Sequence, residues 1–124
     1  MSMDYVEIFY SPVDNIPMIT FDDFRKLDIR IGTVISAARI PGTDKLLTLE
    51  IDVGTEKRHV VAGIAETYLP DDLIGKEIPV LLNLEPRKIR GVESHGMILA
   101  AVDADGKPIL LHPDRVVPSG STVR

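Results

Sequence analysis

The segment from Leu47 to Val53 restricts the fold more than any other part of this chain. Leu47, Leu49, Ile51 and Val53 fill one set of alternate positions, and Thr48, Glu50 and Asp52 fill the other. A repeat of two places the four apolar side chains on one face of an extended strand, which must then cover a core. The flanking sequence repeats the pattern. Ile29, Ile31 and Ile35 alternate with Arg30 and Val34 in a preceding strand that runs to Arg39 and is broken by IPGTDK at 40–45. A turn at Gly54 to Glu56 leads into a third strand, Arg58 to Ile64, and the short spacing predicts a hairpin. A fourth strand is expected at Ile78 to Leu84 and a fifth at Met97 to Val102. DADG at 103–106 then forms a turn before a short last strand, Pro108 to Leu111. Gly120 marks the turn into the C-terminal residues.

Helical signals are few. Thr20 followed by Asp23 is a capping pattern, and Phe21, Phe24 and Leu27 then share one apolar face. Glu66 to Gly75 predicts a short helix after Pro70, with Leu73 and Ile74 inward and Gly75 as its stop. Three strands, a short helix, two strands and an extra strand describe an all-β chain with short helices. They fit the OB-fold, a five-stranded Greek-key barrel, here with N- and C-terminal extensions. A small β-sandwich gives a similar pattern. Residues 1–19 read as the N-terminal extension, with a short strand from Tyr5 to Tyr10 and breaks at Pro12 and Pro17.

At 124 residues the chain can bury a substantial core. The absence of cysteine excludes disulfides, thiolate metal sites and a cysteine nucleophile. No apolar run approaches the roughly 18 residues of a membrane span, and MSMDYVEIFY lacks a basic region before an apolar one. A soluble cytoplasmic protein with no membrane contact is the expectation. The net charge of −5 is unevenly spread: residues 1–28 carry −4 and the remaining 96 carry −1. Nonspecific nucleic-acid binding usually needs a basic domain, so an RNA site here must be a local patch.

The most unusual stretch is NLEPRKIRGVESHGM at 83–97, expected to be a charged loop over 85–96. Arg87, Lys88 and Arg90 fall within four residues, Pro86 stiffens the entrance, and Gly91 and Gly96 permit positive φ. Asn83, Ser94 and His95 add polar groups that can reach sugars, phosphates or base edges. Such a segment is either a phosphate-facing patch or a solvated loop whose cations pair with Glu85 and Glu93. PGTDKL at 41–46 could extend the patch through Lys45, or be a glycine turn capped by Asp44. Lys57, Arg58 and His59 begin the third strand, on a ligand face or as a charged end that deters edge pairing. His59, His95 and His112 have no i,i+4 partner, so no metal is expected. No nucleophile elbow or glycine-rich phosphate loop is present. Asp22/Asp23 and Asp71/Asp72 sit where helix starts favour negative charge. Nothing supports an enzyme, and no cofactor is implied. The six aromatic residues avoid the second and third strands, which speaks against base-stacking single-strand binding and is compatible with recognition of a folded RNA by shape.

Taken together, FDDFRKLDIRIGTV, PGTDKLLTLEIDVG, VVAGIAETY and NLEPRKIRGVESHGMILAA resemble the tRNA-binding domain at the C-terminus of many methionyl-tRNA synthetases. Similar domains occur in free-standing dimeric tRNA-binding proteins, in cofactors of multi-synthetase complexes and in the export chaperone CsaA. The resemblance runs from Phe21 to Val123, implies the OB-fold, and makes 20–124 the tRNA-binding domain. The family's N-L-x-P-x-K-x-R-G-x-x-S-x-G-M pattern falls on Asn83, Leu84, Pro86, Lys88, Arg90, Gly91, Ser94, Gly96 and Met97, and its D-K-L pattern on Asp44, Lys45 and Leu46. It implies RNA contacts by Asn83, Lys88, Arg90, Ser94 and Met97; Arg87 lies in the same segment and Lys45 nearby. Met97 also starts an apolar strand, so a core role competes. The implied function is a noncatalytic, shape-selective tRNA-binding module, a homodimer that assists methionyl-tRNA synthetase in cis or in trans. The alternative is a CsaA-like export chaperone or protein-interaction scaffold.

Overall fold

The computed structural model describes residues 16–124; the strand expected from Tyr5 to Tyr10 lies outside them. Three strands follow a short helix: α1 (Phe21–Arg25), β1 (Ile29–Arg39), β2 (Leu47–Asp52) and β3 (Lys57–Ala62). A 3-10 helix at Pro70–Leu73 precedes β4 (Glu77–Leu81). Then come β5 (Arg87–Ile89), β6 (Val92–Ser94), β7 (Met97–Ile98), β8 (Ala100–Val102), β9 (Pro108–Leu110) and β10 (Thr122–Val123). The main sheet runs β3-β2-β1-β4-β7, with β10 beside the first residues of β1. His59 carbonyl accepts the His95 amide at 2.8 Å, drawing the segment before β7 against β3 and nearly closing the barrel. This is an OB-fold, all-β apart from its short helices.

The strand repeat of β2 is obeyed throughout: Leu47, Leu49, Ile51 and Val53 are each 1% exposed or less. They meet Val34, Val60, Ile78, Val80 and Leu73 in one core. The expected β2–β3 hairpin is present, with Leu47 opposite Ala62 and Asp52 opposite Lys57.

Strand β1 departs from strict alternation. Val34 pairs with Ile51 but Ser36 pairs with Glu50, so Ile35 is an extra residue in a bulge. Val34 is therefore buried and Ile35 exposed, the reverse of the expectation. Position 32 must be glycine, because a Cβ there would collide with the Ile51 side chain. Ile29 and Ile31 are buried outside that core, where residues 117–123 run alongside: Ile31 exchanges backbone hydrogen bonds with Ser121 and Gly120.

Two other expectations are corrected, and the capped helix is found. Leu73 is buried, but Ile74 is 49% exposed because the chain turns extended at Ile74 on the way to Gly75. Thr20 and Asp23 do form the capping box of α1, yet this chain buries no residue of that helix, and Phe21 is 70% exposed. The fifth strand is interrupted at Leu99: β7 pairs with β4, whereas β8 forms a hairpin with β9.

Candidate nucleic-acid interface

Residues 85–96 are not an open loop. They fold into a hairpin in which Arg87 faces Ser94, Lys88 faces Glu93 and Ile89 faces Val92. The connection is two residues long, Arg90 with φ 53° and Gly91 with φ 79°. Positive φ at both positions is the geometry whose twist matches antiparallel strands. The signal for it lies in the sequence: an x-Gly pair between Ile89 and Val92. It is obscured because the first turn residue is Arg rather than Asn, Asp or Gly.

The hairpin is fastened at its second strand. Ser94 Oγ accepts the Val61 amide at 3.0 Å and donates to the Gly96 carbonyl at 3.1 Å. With the His95–His59 bond, these contacts lay β6 antiparallel to β3. The tip therefore points towards the end of β3 from which the chain continues to Ala65. There the Lys45 carbonyl accepts the Ala65 amide at 3.0 Å, so Lys45 and the tip share one end of the barrel.

The residues singled out by sequence now divide. Arg87, Lys88, Arg90, Met97 and Lys45 are exposed. Among the described residues, none of the four cations is ion-paired; Glu93 is engaged instead by His95 Nε2 at 3.1 Å. A solvated loop neutralised by Glu85 and Glu93 is not what is found. Met97 lies on β7 opposite Leu81 and is 36% exposed. Ser94 is 1% exposed with its hydroxyl committed on both sides, so it fixes the hairpin and does not reach the surface. Asn83 is a clamp: its Oδ1 accepts the Asp28 amide at 2.8 Å, and its Nδ2 donates to the Lys26 carbonyl at 2.5 Å.

Sequence reasoning missed how the Arg58 region converges with this hairpin. One Arg58 amino group, Nη1, donates to the Leu82 carbonyl at 2.9 Å and the His95 carbonyl at 3.3 Å, while Nε and Nη2 bind Glu56. His59 and His95, 36 positions apart, line one groove with it. No local spacing announces that meeting. Among the described residues no cluster of three or more His, Asp or Glu could hold a metal, and no helix is long and apolar enough to cross a membrane.

Residues 29–122 match the family described as "Putative tRNA binding domain". The methionine–tRNA ligase of Methanothrix thermoacetophila is 56% identical over 108 residues, 87% of this chain and 16% of the ligase. That of Flavobacterium johnsoniae is 50% identical over 106 residues, 86% of this chain and 15% of the ligase. The chain thus spans about one sixth of the length of these enzymes. A MetRS-related protein from Pyrococcus horikoshii superposes with TM-score 0.83 at 38% identity, covering 88% of this chain and all of that one. The chaperone CsaA of Bacillus anthracis superposes with TM-score 0.79 at 36% identity, covering 87% of this chain and all of that one. A family match across most of the barrel, with relatives of this identity, makes the chain a member of the tRNA-binding domain family.

Proposed function

We propose that this protein is a noncatalytic module that recognises tRNA by shape and backbone, assisting methionyl-tRNA synthetase in cis or in trans. The observation that carries the reading is the β5–β6 hairpin, which presents Arg87, Lys88 and Arg90 to solvent without ion-pair partners among the described residues. Cations held on a rigid two-stranded ribbon suit phosphates, whose contacts fix position more than sequence. Lys45 extends the surface from the β1–β2 connection and Met97 adds an apolar contact, while Asn83 and Ser94 hold the hairpin in place. Residues 20–124 form the working domain, residues 1–19 an extension, and the setting is cytoplasmic.

The module acts as a homodimer in this reading. Met18, Ile19, Phe21, Leu27 and Val116 are all at least 44% exposed, and Phe21 and Leu27 line one surface depression, apolar area that a second copy would cover. Two hairpins on one particle would raise avidity for a single tRNA. Sedimentation is expected to show a dimer at micromolar concentration; a monomer throughout contradicts this element.

Likeness to CsaA along the whole of that protein favours a second reading, a chaperone that binds unfolded polypeptide. Titration of the chain with bulk tRNA and with an unfolded protein separates the two. Saturable tRNA binding with no comparable affinity for the polypeptide is expected; the opposite result replaces the first reading by the second.

A further inference from the structure

Beside the hairpin lies an open groove of about 530 Å³ that the hairpin's proposed role does not use. It runs between β3 and the connection from β4 to β5. Lys57, Arg58 and His59 line it from β3, Leu84 and Pro86 from the facing connection, and His95 from beside β3, its amide bonded to the His59 carbonyl. Its volume is in the range of a small-molecule site, too small for a duplex. The walls differ in chemistry. Leu84 and Pro86 form an apolar rail against which a flat ring can lie. Across from it stand the Lys57 ammonium, which has no ion-pair partner among the described residues, and the exposed His59 imidazole. Glu56 also lines the groove, but its carboxylate is tied to Arg58 at 2.9 Å. Arg58 in turn grips the Leu82 and His95 carbonyls, so the two walls are locked together. Pro86 leads directly into Arg87, making the groove continuous with the cationic hairpin.

We propose that this groove is a subsite for a single unpaired nucleotide, with the base against Leu84 and Pro86, its edge towards His59, and a phosphate at Lys57, while the neighbouring His95 ring keeps its Nε2 on Glu93. An unpaired base exposes a flat face and hydrogen-bonding edges that a duplex hides. The proposal deepens the tRNA-binding reading and rests on it for biological meaning, but the groove's chemistry can be tested separately.

The test has two arms, both on the full chain. In the first, imidazole resonances of His59 and His95 are followed by NMR during titration with adenosine monophosphate, with inorganic phosphate at matched ionic strength as reference. Saturable shifts of both rings with the nucleotide alone, abolished in Lys57→Gln, are expected. No shift, or equal shifts with phosphate, overturns the subsite. Shifts produced by an unfolded polypeptide but not by the nucleotide overturn it in favour of a peptide site. In the second arm, wild type and Lys57→Gln/His59→Gln are compared on tRNA and on a blunt RNA duplex without unpaired nucleotides. Both positions are exposed, so the barrel core is untouched. The double variant should lose roughly three- to tenfold affinity for tRNA and little for the duplex. An equal loss on both RNAs contradicts a nucleotide subsite. If wild type binds the nucleotide but not tRNA, the functional reading fails and the subsite stands.

Discussion

Arg90 holds a backbone conformation that costs a non-glycine residue about 1–2 kcal/mol. A glycine there would relieve the turn, at the expense of greater freedom in the unfolded chain. Ser94 is the converse, a buried hydroxyl whose loss strands the Val61 amide. The two positions therefore separate stability from binding. Arg90→Gly is expected to keep stability within about 1 kcal/mol of wild type and to weaken tRNA binding. Ser94→Ala is expected to cost about 1–3 kcal/mol in urea unfolding, with tRNA affinity retained while the protein is folded. A stable Ser94→Ala protein that no longer binds would return Ser94 to the contact surface. At this scale the sequence reveals residue types but not their tasks. Asn83 and Ser94 reach partners 57 and 33 positions away, and a one-dimensional pattern carries no trace of those distances.

Among the elements, β2 is fully legible because all six of its residues are paired on both sides and the extra residue of the β1–β2 ladder lies in β1. In β1 legibility stops at the bulge: one inserted residue swaps faces, and nothing in the side chains near Ile35 marks it. Charge dominates the composition of the β5–β6 hairpin and gives it the look of a loop, although Ile89 and Val92 face each other across its turn. Helix α1 is legible at its cap but not in its burial, which depends on what packs against it. That cap has a pH dependence. The Thr20 amide, and after it the Lys26 ammonium, hold the Asp23 carboxyl below the ordinary aspartate range. The charged form is thus the one the folded helix favours. Its capping contribution is complete above the ordinary range and is lost as pH falls through the lowered value. Amide resonances of Thr20 and Asp23 should shift together in that acid window, and Asp23→Ala should abolish the transition. Frayed α1 amides already at neutral pH would show that the cap does not form.

Across the whole molecule, the sign of the charge and the proposed ligand pull in opposite directions. The chain carries −5 overall, with most of the excess before residue 29. The long-range field therefore does not favour RNA, and binding depends on a few near contacts. The fold concentrates them: it brings the hairpin tip and Lys45 to one end of the barrel, and Glu93, although it faces Lys88 across the hairpin, is held by His95. Strand period and turn residues are enough to read the barrel itself. They are not enough to read that assembly, which depends on β3 and β6 meeting through Val61 and Ser94, 33 positions apart.

The direct measurement is the salt dependence of tRNA affinity for wild type and for Arg87→Ala/Lys88→Ala/Arg90→Ala. Removing three phosphate-binding cations together should weaken binding to different tRNAs about equally and reduce the slope of log affinity against log salt by roughly two to three. Unchanged affinity and slope would mean that the hairpin does not face the RNA.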